Sequence, residues 1–237
     1  MLKGELRRQA ILEEGERLFF EKGYAGATIQ DFLEALHCSK GSFYHHFESK
    51  LQVLTALCRQ KAEESFRAFR EQLPYEDDLA RLNGLIYFAM PFRAGEEKTV
   101  ALLLPLQGLS DGKMVQQAII DARKQHFFPE MLRLTEELKA AGVFHYSQSM
   151  LPELLWDSFS ACFQRLMQEA AEIRRGGPTG GVIQIIEAER FMWERLLDAP
   201  FASMELIRGD EALLTISHAV TRLKRMESAQ QEKENQE

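Results

Sequence analysis

A chain of 237 residues, 45% hydrophobic and 27% charged, has the apolar content to bury a sizeable core and is ordinary for a globular protein. Its 29 Lys and Arg against 36 Asp and Glu leave a net charge of −7, which excludes a protein that coats polyanions without selectivity. The three cysteines, Cys38, Cys58 and Cys162, are widely spaced and odd in number, as expected of a cytoplasmic chain in a reducing compartment rather than of a disulfide framework.

Residues 5–22 predict a first helix with Ile11, Leu18 and Phe19 on its buried side, and the charges scattered through it rule out a signal peptide. Nowhere does an apolar run approach the roughly 20 residues needed to cross a bilayer. Gly15 in mid-helix costs on the order of 1 kcal/mol against alanine, which a close helix crossing would explain. Gly23 is the expected C-cap. Two short helices follow, Thr28–Leu36 and Ser39–Phe47, with a turn at His37–Cys38. Thr28 and Ser39 can cap them, Asp31 completes a capping pattern with Thr28, and Ser49-Lys50-Leu51-Gln52 is a third start signal. Ile29, Phe32, Leu33 and Leu36 recur at helical spacing and form one apolar face. Two helices joined by so tight a turn cross steeply, the geometry of a helix-turn-helix whose second helix enters the major groove of DNA. Residues 1–50 hold 7 Lys and Arg against 8 Asp and Glu, so the cationic surface must be local: His37, Lys40, His45, His46 and Lys50 face only Glu48.

A long helix is expected from Lys50 to about Leu73, ended by Pro74, then a further one over 76–90 closed by Pro91. Residues 97–109 predict an apolar helix bent or broken by Pro105, with a turn at Ser110-Asp111-Gly112. The segment 113–141 predicts a helix kinked at Pro129. Residues 149–175 and 182–198 predict two helices joined by the Gly-rich turn 176–181, both apolar over more than one face. The last helix is placed at 210–226, and the polar tail 227–237 is expected to be disordered. No segment alternates with period two for long enough to form a strand, so the fold class is all-α.

The set Arg8, Ile11-Leu12, Leu18-Phe19, Gly23-Tyr24, Thr28-Ile29, Asp31-Phe32, Ser39-Lys40-Gly41-Ser42-Phe43-Tyr44-His45-His46-Phe47, Ser49-Lys50 and Leu54 resembles the N-terminal domain of the tetracycline-repressor (TetR) family of transcriptional regulators. The resemblance implies a three-helix DNA-binding domain over 1–49 and a helical effector-binding and dimerisation domain over 50–226. It further implies a homodimer that binds a palindromic operator in double-stranded DNA and is released by a small molecule. Family members commonly have Ala, Ala and Gly where this chain has Leu33, Leu36 and His37; histidine tolerates positive φ better than most residues, so the turn remains feasible.

Candidate DNA contacts follow from both arguments. Lys40 and Ser42 stand where side chains meet base edges, and lysine suits guanine O6 and N7. Gly41, beside the cap Ser39, lets the backbone approach. Tyr44 can reach a thymine methyl or a phosphate, and His45 and His46 are expected to divide between groove and backbone. Lys50 and Thr28, at helix N-termini, suit phosphates, with Gln30 beside Thr28.

In the body, aromatic and methionine side chains suggest a pocket for a hydrophobic or aromatic effector: Phe66, Phe69, Tyr87, Met90, Met114, Phe127, Trp156, Phe159 and Phe163, with Gln107, Arg123 and His126 for polar selectivity. The two widely apolar helices suggest a dimer interface through Leu155, Phe159, Cys162, Leu166, Ile185, Ile186, Met192, Trp193 and Leu196. A zinc site at His37, Cys38, His45 and His46 is disfavoured, because sequence neighbours on a helix point apart and no C-x-x-C or H-x-x-x-H pair exists. Nucleotide-binding and hydrolase motifs are absent, so no cofactor and no enzymatic activity is implied. The reading that competes with a ligand-responsive regulator is an adaptor or architectural DNA-binding protein governed by a protein partner.

Overall fold

The computed structural model describes residues 3–72 and 74–234. Ten α-helices follow one another in these residues: α1 Lys3–Gly26, α2 Ile29–Ala35, α3 Lys40–Tyr44, α4 Lys50–Glu71, α5 Asp78–Ala89, α6 Glu97–Leu103, α7 Ser110–Ala140, α8 Leu151–Arg174, α9 Gly180–Leu197 and α10 Gly209–Glu234. A single 3₁₀ turn, Leu104–Leu106, sits between α6 and α7, and no strand occurs among the described residues. The architecture is all-helical.

The expected caps form. Thr28 Oγ1 accepts from Asp31 N at 3.2 Å while Asp31 Oδ2 accepts from Thr28 N at 2.7 Å, a reciprocal pair. Ser39 and Ser49 cap α3 and α4 in the same N3-directed way, each at 3.2 Å. Helix α1 breaks at Gly23, whose φ of 71° lies in the left-handed region, and one further turn runs to Gly26. Gly15 allows the crossing proposed for it: a Cβ there would fall 2.7 Å from Val53 Cγ1 and 3.2 Å from the Phe32 ring.

Helix α4 joins the two halves of the chain. Its first turns pack against α1, where Val53, Leu54 and Leu57 are buried with Ile11, Phe19 and Phe32. Its second half lies along α7 and α5. Three buried polar links fasten the body. Arg123 on α7 donates to the carbonyls of Phe88 and Ala89 at 3.1 and 2.7 Å, capping α5 with positive charge at its C-terminus. Buried Glu96 accepts from Ser65, Arg93 and Thr99, tying α4 to the start of α6. Buried Glu189 on α9 accepts from Ser158 Oγ at 2.7 Å and Trp193 Nε1 at 2.9 Å, holding α9 to α8.

Several elements differ from the sequence expectation. Helix α3 stops at Tyr44, three residues short of Phe47. Ser110-Asp111-Gly112 is the first turn of α7 rather than a free turn, and α7 continues through Pro129. Residues 227–234, expected to be disordered, extend α10 to Glu234, and Glu227 pairs with Arg174 at the end of α8; residues 235–237 lie outside the described residues. The side chains expected at a dimer face are turned inward. Leu155, Phe159, Cys162, Leu166, Ile186 and Trp193 are buried within the protomer, Ile185 and Met192 are half-buried, and Leu196 alone of the set is exposed. The reason is packing: α8 touches α7, α9 and α10, so most of its apolar perimeter is covered by its own chain.

Gly112 makes the entry into α7 possible, since a Cβ there would lie 2.0 Å from the Leu106 carbonyl oxygen. Gly112→Ala is therefore expected to cost about 1–3 kcal/mol through backbone displacement, lowering the melting temperature by roughly 2–4 °C per kcal/mol in a calorimetric scan. An unchanged melting temperature would show that this turn relaxes freely.

Candidate nucleic-acid interface

Five residues are too few to hold a helix by themselves, so α3 owes its position to what it buries. Phe43 is fully buried and Phe47, just beyond the helix, is nearly so. Phe43 meets Phe32 of α2 at 5.4 Å between ring centroids, Phe32 meets Phe19 of α1 at 5.9 Å, and Phe19 meets Tyr24 at 5.6 Å. The Arg8 guanidinium lies 5.0 Å over the Phe47 ring. This aromatic chain runs through the domain and pins α3 by one face. His37 makes the turn from α2 with φ at 46°, the conformation expected of the residue that replaces glycine there.

With that face buried, the opposite one is free. Lys40, Gly41, Tyr44 and His45 are exposed, and Ser42 and His46 half-buried. Tyr44 keeps 45% of its surface in solvent although its ring touches Phe43 edge-on at 5.6 Å. The His45 and His46 rings meet at 4.9 Å rather than standing on separate faces. Burial, then the neighbouring His45, Arg7 and Arg8, hold His46 below the ordinary histidine pKa. Arg7, Ser42, His45 and His46 line a surface groove of about 520 Å³ between α1 and α3. Thr28 and Gln30 are exposed at the start of α2, although Gln30 Nε2 donates to Glu34 at 2.8 Å.

Lys50 is placed otherwise than a phosphate contact requires. Its Nζ donates to the carbonyls of Tyr24 at 2.7 Å, Ala27 at 2.9 Å and Ala25 at 3.3 Å, and it lies 4.5 Å above the Tyr24 ring. All three ammonium protons are thereby used. Burial lowers its pKa, with the Asp111 carboxylate opposing that shift. Tyr24 Oη in turn donates to Asp111 Oδ2 at 3.0 Å, and burial followed by that bond raises the tyrosine pKa. Asp111 and Tyr24 thus join the first turn of α7 to the end of α1. Nothing local in the sequence signals this junction: Asp111 sits in a turn-like Ser-Asp-Gly run, and the Lys50 contacts join residues 23 to 26 positions apart, beyond any local spacing rule.

The aromatic residues of the body come together but pack closed. Phe66 contacts Phe69, His126 and Phe127, and Trp156 contacts Phe128 and Phe159. Phe69, Met90, Arg123, Phe127, Trp156, Phe159 and Phe163 are buried, Phe66, Gln107 and His126 half-buried, and Met114 is 62% exposed. Within this group Gln107 Nε2, Arg123 Nε and Trp156 Nε1 are buried with no hydrogen-bond partner. Of the effector candidates, Tyr87 alone borders the cleft of about 730 Å³ on the other side of α5. Among the described residues no group of three or more His, Cys, Asp or Glu could hold a metal ion, and no helix is long and apolar enough to cross a membrane.

A solvent-facing second helix, anchored through aromatic residues to its own three-helix domain, defines a helix-turn-helix protein. Residues 11–57 match the family model described as bacterial regulatory proteins, tetR family. The repressor DhaR of Mycobacterium sp. strain GP1 is 51% identical over 43 residues, 18% of this chain and 22% of DhaR. AcnR, a repressor of Corynebacterium diphtheriae, is 44% identical over 57 residues, 24% of this chain and 30% of AcnR. These matches thus span less than a third of either relative's length. Over most of the chain the likeness is structural. A TetR-family regulator of Pectobacterium atrosepticum superposes with a TM-score of 0.62 at 21% identity, covering 84% of this chain and 97% of that one. RolR in complex with resorcinol gives 0.53 at 17% identity, over 91% and 95% of the two chains. Residues 11–57 thus carry a tetR-type DNA-binding domain, and the chain shares its overall fold with these regulators.

Replacing Lys50 by methionine keeps the packing over Tyr24 but leaves three carbonyls without their cation. The variant is expected to lose about 1.5–3 kcal/mol, seen as a lower urea midpoint at unchanged slope. A variant as stable as the parent but defective on DNA would return Lys50 to a phosphate role.

Proposed function

We propose that the protein is a transcriptional regulator, acting as a repressor, that binds a palindromic operator as a homodimer and is released by a small molecule. The observation that carries the reading is the free face of α3, which offers Lys40, Gly41, Tyr44 and His45 outward from a fully buried Phe43. A helix so mounted can enter the major groove with Lys40 and Ser42 at base edges and Tyr44 at a methyl or phosphate. Thr28, at the N-terminus of α2, is exposed, but its N–H and hydroxyl both donate to Asp31 Oδ2, so a phosphate there has to displace that carboxylate. The matched relatives are named as repressors, which supports the sign of the regulation. Two α3 helices one turn of DNA apart, roughly 34–36 Å, complete the site. Exposed Leu154 on α8, with Phe191 and Leu196 on α9, supplies apolar surface for pairing two protomers. The functional division is placed at 49/50, with α4 shared between the two units.

The unpartnered donors of Gln107, Arg123 and Trp156 support an effector that brings acceptor oxygens into the body. A protein of the same fold, RolR, holds the small phenol resorcinol. An effector entering among Phe66, Phe127 and His126 separates α4 from α7. The displacement reaches α3 by two routes: α4 itself, and the Asp111–Tyr24 bond at the start of α7. The effector must favour the spread form over the DNA-competent form, since equal affinity shifts nothing.

Selection of random duplexes by the purified protein is expected to return a sequence of dyad symmetry. Tyr44→Ala and Lys40→Ala should each weaken its binding about tenfold or more at constant salt, with the melting temperature unmoved in Lys40→Ala and lowered only slightly in Tyr44→Ala, which loses its edge contact with Phe43. Enrichment of no duplex, or full affinity in both variants, would sink the proposal. Tyr24→Phe, which deletes the bond to Asp111, should keep operator binding but blunt the effector response about fivefold or more, measured as the ratio of operator affinities with and without ligand.

A further inference from the structure

Between α5, α9 and the start of α10 the body carries a cleft of about 730 Å³, away from both the DNA-facing surface and the aromatic cluster. That size lies within the roughly 300–1,000 Å³ of small-molecule sites. One wall is α5, through Leu79, Ala80 and Tyr87. The facing wall is the segment 203–208, which has no regular structure and is held in place by side chains from two helices. Asn83 of α5 donates Nδ2 to Ser203 O at 2.9 Å and accepts from Glu205 N at 3.0 Å. Glu194 of α9 accepts from Met204 N at 3.2 Å. At the cleft's end Tyr87 Oη donates to Glu211 Oε1 at 2.7 Å, and the same oxygen accepts from Ala94 N at 2.8 Å. The walls are therefore set before a ligand arrives, which lowers the ordering cost of binding.

Surface chemistry selects the occupant. Leu79, Ala80, Met204, Leu206 and Ile207 make the lining apolar. Around it stand the carboxylates of Glu76, Asp77, Glu187, Glu205 and Glu211, against the guanidiniums of Arg190 and Arg208. Both guanidiniums are already committed, Arg190 to Glu187 at 2.8 Å and Glu194 at 3.0 Å, and Arg208 to Asp210 at 2.5 Å. Among the described residues the Glu76 and Glu205 carboxylates accept no hydrogen bond and pair with no cation. An anion would enter against this field, and a neutral apolar molecule would gain nothing from it. A cation on an apolar frame uses both the lining and the carboxylates, and the Tyr87 ring adds a face for it.

We propose that this cleft binds a small organic cation, an ammonium carried on an apolar or aromatic frame. The inference goes beyond the regulator reading, because binding is measured on the full chain without DNA. The probes are 4-(trimethylammonio)phenol, its uncharged isostere 4-tert-butylphenol and the anion 4-hydroxybenzenesulfonate, titrated calorimetrically. The cation is expected to bind at one site per chain, the isostere about tenfold more weakly and the sulfonate weaker still. Ala80→Trp, which fills the cleft, should remove cation binding. The double variant Glu76→Gln with Glu205→Gln should weaken it about fivefold or more while leaving the apolar lining intact, so the charge argument is tested even if the tryptophan is not accommodated. No binding by the cation, equal binding by the isostere, or full affinity in the folded double variant would each overturn the proposal.

Discussion

The whole arrangement hangs on the burial of one ring. Helix α3 is shorter than two turns and cannot be stable alone; Phe43, with no exposed surface, is what converts five residues into a rigid element. Its partner Phe32 is equally buried and is met from the other side by Phe19. The consequence is directional. Because the i and i+4 positions Phe43 and Phe47 face inward, Lys40, Tyr44 and His45 have no choice but to face outward. A recognition surface therefore follows from core packing, with no requirement that the net charge of the chain be positive.

The second constraint is the junction of Lys50, Tyr24 and Asp111. A lysine at the start of α4 neutralises the carbonyl end of α1, where helix polarity concentrates negative charge, and its stem covers the Tyr24 ring. The same tyrosine reaches Asp111 of α7. Elements distant in sequence thus meet at one small polar cluster between the N-terminal helices and the body. Continuity of α4 from Val53, packed on Gly15, to Phe66, packed on Phe127 of α7, and Phe69, packed on Phe88 of α5, makes the same connection through apolar contact. Two mechanically distinct links reduce the freedom of the N-terminal helices to move independently of the body.

Legibility from sequence tracked the range of the interactions. Caps at Thr28, Ser39 and Ser49, the break at Gly23, the crossing at Gly15 and the strained turn at His37 are local or single-residue signals, and each stands in the structure as its chemistry requires. The α8–α9 surface was harder. An apolar perimeter shows that a helix is buried on more than one side, but not whether its own chain or another covers it; here Leu155 and Leu166 of α8, a helix packed by α7, α9 and α10, are buried, and Trp193 of α9 packs on Phe159 of α8. The helical state of residues 227–234 escapes the sequence for a related reason, since a polar composition describes a solvated helix face as well as a tail. The cleft beside α5 left no pattern at all. Its wall at 203–208 has neither period, and the side chains that hold it stand 120 residues away, at Asn83, and ten residues away across a turn, at Glu194.

The closed packing of the body aromatics bears on how an effector could act at all. A preformed cavity admits a ligand without disturbing its walls, and such a ligand need not favour one conformation over another. The Phe66–Phe127 contact, at 5.1 Å between ring centroids, joins α4 to α7 with no room between. Entry there requires those rings to separate, so the energy of the ligand's contacts goes directly into moving α4 against α7. Buried donors on Arg123, Gln107 and Trp156 already stand without acceptors in the closed form, a cost that an oxygen-bearing ligand would relieve only once inside. For the proposed effector, differential affinity for the opened form, the one property a releasing ligand must have, would then follow from how tightly the unliganded core is packed.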